Sequence, residues 1–215
     1  MPEHVCPWFL GYFIDNRLRR WLHNPDAIVE PYVGPGMTVL DIGCGMGIFT
    51  LAMARRVGPI GRVIAIDLQP QMVQVLQRRA AAAGVADRIR THLATPTSLG
   101  LWDRDVATAG GAPLTGACDF ALMFAMLHEV PDPARLLAEV SAVLQLGGRL
   151  LIAEPRLHVP AGKFADELGL AVRAGLAVVA RPHIRWSHAA ALQRDGSAAG
   201  TSPATPTTDS SRANR

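Results

Sequence analysis

The 215-residue chain is predicted to be an α/β protein, with a mostly parallel sheet and helices on both of its faces. Short apolar runs alternate with amphipathic segments along the chain, and glycines and prolines stand between them. The intervening segments are long enough for the helical crossovers that parallel strands require. The composition, 49% hydrophobic and 18% charged, is typical of one globular domain.

The first half of the pattern predicts a β-α-β unit followed by a second helix. Gly58 ends the first helix, whereas Pro70 begins the second and Gly84 ends it. One face of the second helix carries Met72, Val73, Leu76 and Ala80. The predicted elements are a strand at 37–40, a helix at 48–57, a strand at 61–67 and a helix at 70–83.

The second half predicts three further strands and a C-terminal pair. Asp132 can cap the helix between the fourth and fifth strands, with Pro133 at its first position. A later helix carries Phe164, Leu168 and Val172 on one side. The predicted elements are strands at 89–94, 119–124, 149–154, 177–180 and 184–192, with helices from 133 to 144 and from 162 to 174.

A glycine-rich turn behind the first strand is the strongest functional signal in the chain. It reads Asp41-Ile42-Gly43-Cys44-Gly45-Met46-Gly47. Its three glycines can adopt positive φ and let the backbone approach a ligand within van der Waals distance. Asp41 would repel a bound phosphate, so the turn favours a nucleotide-like cofactor that carries a cationic ammonium group. The alternative is a tight turn that binds nothing.

The same turn does not match the dinucleotide fingerprint G-x-G-x-x-G, which would need glycine at Ile48 or at Thr50. It resembles D/E-x-G-x-G-x-G, the first motif of class I S-adenosylmethionine-dependent methyltransferases. Within that family the chain looks like the small-molecule branch that includes the ubiquinone and menaquinone biosynthesis methyltransferases. The resemblance implies S-adenosyl-L-methionine as the cofactor. It also implies a Rossmann-like, seven-stranded, mostly parallel sheet that ends in an antiparallel hairpin.

Further cofactor-binding residues are expected where the next strands end. Asp67 ends the second strand, where a carboxylate can accept hydrogen bonds from both ribose hydroxyls, although it can also cap the following helix. The resemblance places Leu68 near the adenine and Phe124 near the methionine end. The acid that the family has after the third strand is missing, so the hydroxyl of Thr95 or Ser98, or a backbone carbonyl, is expected to accept from the adenine amino group. The full predicted set is Asp41, Gly43, Cys44, Gly45, Gly47, Asp67, Leu68, Thr95 and Phe124.

The segment after the fourth strand supplies the candidate acid-base residues. His128 titrates near neutral pH, and the adjacent Glu129 carboxylate is able to orient it, so both are predicted catalytic residues. A structural His128 that hydrogen-bonds the loop before Pro131 is the alternative. Glu154 ends the fifth strand, where it either shapes the substrate pocket or is solvated at the strand end.

The chain is expected to have three parts: an N-terminal segment at 1–35, the methyltransferase domain at 36–192 and a disordered tail at 193–215. Aromatic residues precede arginines within 6–20, which favours a lid over the site. A dimer contact and a membrane-surface contact are the less favoured alternatives. The tail is rich in Ser, Thr, Ala and Pro and has too little apolar surface to be ordered.

Charge and cysteine content exclude several classes of function. A net charge of +3 with 6% aromatic residues argues against nucleic-acid binding. The three cysteines have no metal-binding or disulfide spacing, and no leader or membrane span is recognised, so a cytoplasmic location and no metal are expected. The predicted function is methyl transfer to an oxygen, nitrogen or carbon of a small molecule. The rival functions are a non-catalytic cofactor-binding module and a nicotinamide-dependent oxidoreductase.

Overall fold

The computed structural model describes residues 24–95, 97–101 and 114–196. Most of the predicted N-terminal segment and most of the predicted tail lie outside these ranges, so the expected lid, dimer or membrane contact and the disorder of the tail stay predictions. Among the helices of the described ranges, none is long and apolar enough to cross a membrane.

Helices and strands alternate along the described chain, as the sequence predicts. The helices are α1 (Pro25–Val29), α2 (Ile48–Val57), α3 (Pro70–Ala82), α4 (Pro133–Val143) and α5 (Ala161–Arg173). The strands are β1 (Thr38–Ile42), β2 (Arg62–Asp67), β3 (Ile89–Leu93), β4 (Cys118–Phe124), β5 (Leu144–Pro155), β6 (Leu176–Ala180) and β7 (Ser187–Arg194). Two 3-10 turns, Ala86–Arg88 and Leu127–Glu129, precede β3 and α4.

The seven strands form one sheet in the order β3-β2-β1-β4-β5-β7-β6. Strands β1 to β5 pair in parallel, whereas β7 is antiparallel to both β5 and β6. The predicted mostly parallel sheet with a C-terminal antiparallel hairpin is therefore confirmed. The chain leaves β1 toward one edge of the sheet and returns at β4 toward the other edge. This reversal creates a crevice at the carboxyl ends of β1 and β4, where open α/β sheets bind ligands.

Hydrophobic side chains on both faces of the sheet bury it between two layers of helices. On one face Met53 of α2 packs in a cluster with Leu122 of β4. On the other face Leu137 of α4 and Phe164 of α5 pack in a cluster with Ile152 of β5. Successive residues of β4 contribute to opposite clusters because side chains alternate along a strand. The sheet is thus covered on both faces, and only its strand ends remain to form a site.

The starts of two strands differ from the predicted ones by three residues or more. Strand β5 begins at Leu144, directly after α4, because its first residues pair with Cys118 before a bulge shifts the register. Strand β7 begins three residues later than the predicted 184. It also continues to Arg194, so the tail predicted from 193 starts two residues too early. Gln193 belongs to the sheet because it pairs with Arg149.

Apolar side chains at two places in the chain are not where the sequence predicts them. Val29 and Val33 are buried in the core cluster of α2, so the packed core begins before residue 36. Val172 was predicted to share a buried face with Phe164, yet its side chain is 54% exposed and Ala171 is buried instead. Helix α5 is therefore rotated by about one residue relative to the predicted face.

Gly61 is expected to be indispensable to the fold, because an added Cβ would lie 2.6 Å from the Val57 carbonyl oxygen and 2.8 Å from the Met37 carbonyl oxygen. Backbone atoms at these distances cannot move without separating α2 from β2. Gly61→Ala should therefore lower the free energy of unfolding by about 3 kcal/mol or more, measured by urea denaturation. Gly34→Ala is the control, since its Cβ would make an ordinary 3.6 Å contact with Met37. Equal stability losses in the two variants would contradict this account.

Candidate functional site

The glycine-rich turn and the end of β4 meet at the crevice between β1 and β4. Gly43 and Met126 lie so close that a Cβ on Gly43 would approach the Met126 Cβ to 3.0 Å. Ala125, between β4 and Met126, has a φ of +56°, a left-handed conformation that is uncommon outside glycine. Strained backbone of this kind concentrates at functional sites. Both segments therefore turn sharply at the same end of the sheet.

The turn is held against β2 by backbone hydrogen bonds and by one carboxylate. The backbone N–H groups of Gly43 and Cys44 both donate to the carbonyl oxygen of Ile66, at 2.8 and 3.0 Å. The N–H of Gly45 donates to Asp67 Oδ2 at 2.8 Å, and the N–H of Gln69 donates to Asp67 Oδ1 at 2.9 Å. Asp67 thus fixes the turn and the entry to α3 together. Each of its oxygens retains a lone pair for a further donor.

The three glycines of the turn have different surroundings. All have positive φ, at +72° for Gly43, +52° for Gly45 and +86° for Gly47. A Cβ on Gly47 would meet Leu76 Cδ1 at 2.2 Å, whereas a Cβ on Gly45 would have no atom within 4 Å. The lack of a side chain at Gly43 and at Gly47 therefore leaves space for the side chains of Met126 and Leu76. Gly45 faces open space at the crevice and is the glycine past which a ligand can lie.

Asp41 lies beneath the turn, where it is only 3% exposed. Thr50 of α2 donates a hydrogen bond from Oγ1 to Asp41 Oδ2. Burial raises the pKa of Asp41 to about 7, although the bond from Thr50 opposes the shift. Burial also raises the pKa of the Cys44 thiol well above its usual value, so this cysteine remains uncharged. The predicted charge at Asp41 is therefore sensitive to pH near neutrality.

An apolar surface borders Asp67 on the β3 side. Leu68 is 39% exposed and Leu93 is 47% exposed, and Leu93 pairs with Asp67 across the ends of β2 and β3. Exposed leucines beside a carboxylate suit a nucleoside, with the base on the apolar surface and the ribose hydroxyls on the carboxylate. The sequence predicted Leu68 for this position and missed Leu93, whose place at a strand end was the available signal.

The loop after β3 is held by a carboxylate that sequence reasoning missed. Thr95 and Ser98 form a short bridge, in which the N–H of Ser98 donates to Thr95 Oγ1 at 3.1 Å. Glu139 of α4 accepts from the N–H of Leu99 at 2.9 Å and from Ser98 Oγ at 3.4 Å. Glu139 is therefore the carboxylate that contacts this loop, from α4. It serves to fix the loop that carries the predicted adenine-binding Thr95.

His128 is oriented by Glu154 rather than by its neighbour Glu129. Glu154 is fully buried and accepts hydrogen bonds at Oε1 from the N–H groups of Met126, at 3.2 Å, and Leu127, at 2.8 Å. Its Oε2 is hydrogen-bonded to Nδ1 of His128. The Glu129 carboxylate lies 3.9 Å from His128 Nε2, beyond hydrogen-bonding distance. Solvation of Glu154 at the strand end, one of its two predicted roles, is thus excluded by its burial.

The hydrogen bond to Glu154 raises the pKa of His128, and burial opposes the shift.

Phe124, predicted near the methionine end of the cofactor, packs against Phe49 with the ring centroids 4.5 Å apart. Its ring is 8% exposed, so it supports the floor of the crevice more than its opening. Of the predicted set, Asp41, Gly45, Asp67 and Leu68 are brought together on one side of the crevice. His128 lies beyond the end of β4.

These residues fit S-adenosylmethionine, on the evidence of the space and the donor set. The cradle beside Gly45 is one that a Cβ would begin to fill. A carboxylate and two exposed leucines stand on the side of β2 and β3, and a second carboxylate lies beneath the turn. These groups suit a nucleoside joined to a cationic amino acid: the leucines and one carboxylate are suited to the nucleoside, and the second carboxylate is suited to the cationic group.

Comparison with known proteins agrees with this geometry. A family model described as a methyltransferase domain matches residues 13–202. The chain is 32% identical to a demethylmenaquinone methyltransferase of Symbiobacterium thermophilum over 131 residues, which are 60% of this chain and 47% of that protein. It is 32% identical to a ubiquinone biosynthesis O-methyltransferase of Xanthomonas axonopodis pv. citri over 133 residues, 61% of this chain and 47% of that protein. The chain spans about half the length of these curated relatives.

A solved structure shares the fold. A SAM-dependent methyltransferase from Aquifex aeolicus superimposes with a TM-score of 0.72 at 22% identity, covering 88% of this chain and all of that one. The family model covers most of the 215 residues, and its match includes the whole sheet. The chain therefore belongs to the methyltransferase-domain family, in the class I, S-adenosylmethionine-dependent group that the glycine motif predicted.

Proposed function

We propose that this chain transfers a methyl group from S-adenosylmethionine to a nucleophilic oxygen, nitrogen or carbon of a small molecule. The observation that carries the proposal is the open cradle at Gly45, bounded by the Asp67 carboxylate. Two relatives named as quinone-biosynthesis methyltransferases support a small organic acceptor. A small-molecule partner, a cytoplasmic location and the possible homodimer remain parts of this proposal.

The chain's residues would hold the cofactor by separate chemical groups. Asp67 accepts from the ribose hydroxyls, and the apolar side chains of Leu68 and Leu93 cover the adenine. Asp41 supplies a negative charge below the turn for the ammonium group of the methionine part. When bound, the cofactor supplies an electrophilic methyl group, so the protein's task is to align a nucleophile in a pocket from which water is excluded. His128 is then the group placed to receive a proton.

Calorimetric titration tests the proposal first. S-adenosylmethionine and its demethylated product are expected to bind with micromolar dissociation constants, whereas NADH should not bind. Transfer of labelled methyl from the cofactor to a panel of small phenols, amines and enols then tests for turnover. Binding of NADH in place of S-adenosylmethionine would favour the oxidoreductase. Cofactor binding with no transfer to any acceptor would favour a non-catalytic module.

Gly45→Ala is expected to abolish cofactor binding without unfolding the protein. Its Cβ would meet no protein atom within 4 Å but would enter the proposed ligand space. The control is Gly84→Ala, because Gly84 also has a positive φ, +67°, and open surroundings but lies far along the chain at the end of α3. Both variants should lose about 1 kcal/mol of stability from the left-handed backbone. Calorimetry should show at least about a tenfold loss of affinity in Gly45→Ala alone. Equal affinities would contradict the assignment.

Cofactor affinity is expected to rise with pH as Asp41 loses its proton. Burial raises the pKa of Asp41 to about 7, so the free site is largely protonated below pH 7, and a cationic ligand must displace that proton. Affinity should increase by about tenfold between pH 6 and pH 8, measured by calorimetry.

Asp41→Asn keeps an acceptor for Thr50 but carries no charge. It should bind more weakly at pH 8 and lose the component of the pH dependence that Asp41 contributes. Thr50→Val removes a bond that lowers the pKa of Asp41, so it should move the transition to higher pH. A pH profile in Asp41→Asn that matches the wild type would show that another group is responsible.

A further inference from the structure

We propose that two neighbouring turns at the carboxyl end of the sheet bind this protein to the surface of an anionic lipid membrane. One turn, residues 156–159, follows β5, and the other, residues 184–186, leads into β7. Four exposed side chains of these turns define what we name the tip surface: Arg156, Leu157, Arg185 and Trp186. The docking goes beyond the proposed function, because membrane binding does not depend on the reaction at the site. It also involves a part of the chain that is distant in sequence from the N-terminal segment at 1–35.

Hydrogen bonds hold the two turns side by side. The N–H of Arg156 donates to the carbonyl oxygen of Trp186 at 2.9 Å, and Arg156 Nε donates to the carbonyl oxygen of Ser187 at 3.0 Å. These contacts extend the antiparallel pairing of β5 with β7, in which Pro155 lies opposite Ser187. The tip surface is therefore a continuation of the sheet, and its residues lie together.

A buried apolar residue anchors each turn. Val159 is fully buried, and its N–H donates to the carbonyl oxygen of Pro155 at 2.9 Å. Ile184 is 5% exposed, and its carbonyl oxygen accepts from the N–H of Ser187 at 3.1 Å. The backbone of both turns is thereby fixed, so the exposure of the side chains at their tips is a property of the fold itself.

The apolar side chains of the tip surface are exposed at a cost to the fold. Leu157 is 91% exposed and Trp186 is 64% exposed. Trp186 has a φ of +61°, a left-handed conformation that is unfavourable for a residue with a bulky side chain. A glycine there would relieve the strain, and a polar residue at either position would expose less apolar surface to water. A partner that covers both side chains explains why they are present.

The tip surface is positively charged. Arg156 and Arg185 belong to it, and Arg185 Cζ lies 5.9 Å from the centroid of the adjacent indole ring. Arg181 is exposed in the same connection between β6 and β7. The sequence has no Asp or Glu at 155–163 or at 181–187. Guanidinium groups bind phosphate oxygens through paired hydrogen bonds, so charge complementarity indicates a partner that presents phosphate groups.

A membrane surface suits both the apolar and the charged side chains of the tip surface. An indole ring is favoured at the level of the lipid headgroups, a leucine side chain can enter the acyl region, and arginines bind the lipid phosphates. A small ligand would be enclosed by a pocket, whereas these side chains protrude. A nucleic acid offers phosphates and bases for stacking, yet it has no apolar interior for the aliphatic side chain of Leu157.

The tip surface borders the crevice on the side of His128. His158, the residue after Leu157, has its ring centroid 6.2 Å from that of His128. Glu154, which is hydrogen-bonded to His128, precedes the first turn by two residues. Binding to a membrane would therefore bring this side of the crevice close to the lipid. An acceptor that dissolves in the bilayer would then reach the site by a short path, a consequence that rests on the proposed function, whereas the docking does not.

Co-sedimentation of the full chain with lipid vesicles tests the docking and needs neither cofactor nor acceptor. The protein is expected to bind vesicles of phosphatidylglycerol and phosphatidylcholine in equal parts at least about tenfold more tightly than vesicles of phosphatidylcholine alone. Added salt should weaken this binding, because it screens the attraction between arginines and lipid phosphates. Equal binding to both kinds of vesicle, or binding to neither, would overturn the proposal.

Leu157→Ser and Trp186→Gly test the apolar contacts. Each should weaken binding to the anionic vesicles by about fivefold or more, because less apolar surface is removed from water. Ile60→Ser is the control, since Ile60 is 74% exposed but lies before β2, at the opposite end of the sheet. Glycine accepts the positive φ of residue 186, so Trp186→Gly is expected to fold. A lower melting temperature with unchanged vesicle affinity would show that Trp186 serves the fold and would contradict its docking role.

Arg181→Gln and Arg185→Gln test the charge. Each should weaken binding to the anionic vesicles by about fivefold, the effect of one cation near a charged membrane. Arg90→Gln is the control, because Arg90 is exposed on β3, at the other edge of the sheet.

Two further outcomes would overturn the proposal. Undiminished binding in all four variants of the two turns and their connection would assign the membrane contact to another part of the chain. Tighter binding to a single-stranded RNA of mixed sequence than to the anionic vesicles would show that the partner is a nucleic acid. Titration of the same samples with S-adenosylmethionine separates the two proposals, because a lack of cofactor binding would refute the proposed function and leave the vesicle result intact.

Discussion

The site depends on carboxylates that accept hydrogen bonds from the backbone at the ends of strands. Asp67 binds the N–H of Gly45 and of Gln69, and Glu154 binds the N–H of Met126 and of Leu127. Each carboxylate thereby fixes a turn that no strand pairing can hold. At Asp67 these backbone donors oppose the rise in pKa that burial causes.

The glycines of the turn differ in what surrounds them. Met126 and Leu76 occupy the space that a Cβ would need on Gly43 and on Gly47, whereas a Cβ on Gly45 would meet no atom within 4 Å. The three glycines of the motif are therefore not equivalent: two are required by packing, and we propose the third as the ligand-binding position. This division explains how the turn can be narrow enough to join β1 to α2 and still leave one side accessible. It also means that substitutions within the motif should differ in whether they affect stability or affinity.

The two sides of the crevice differ in their electrostatics. On the β2 side, Asp41 and Asp67 both have raised pKa values, chiefly because they are buried. On the β5 side, the hydrogen bond that His128 makes to the buried Glu154 carboxylate raises the pKa of His128. Groups with raised pKa values consequently border both halves of the site. Binding on one side and proton transfer on the other are therefore expected to depend on the titration of different residues.

The sequence by itself determined the fold class, the order of the elements and the place of the cofactor turn. The periodicity of apolar residues in strands and helices and the spacing of Asp41 and the glycines are local properties. They can therefore be recognised without knowledge of the fold. The tertiary structure decided which carboxylate orients His128, because the distant Glu154 is hydrogen-bonded to its Nδ1, whereas the adjacent Glu129 carboxylate stays 3.9 Å from its Nε2. The tertiary structure also brought Glu139 into hydrogen-bonding contact with the loop that follows Thr95, and it buried Glu167 on the inner face of α5. These contacts depend on how separate helices and strands pack together. The spacing of residues along the sequence does not reveal which of them meet across the sheet.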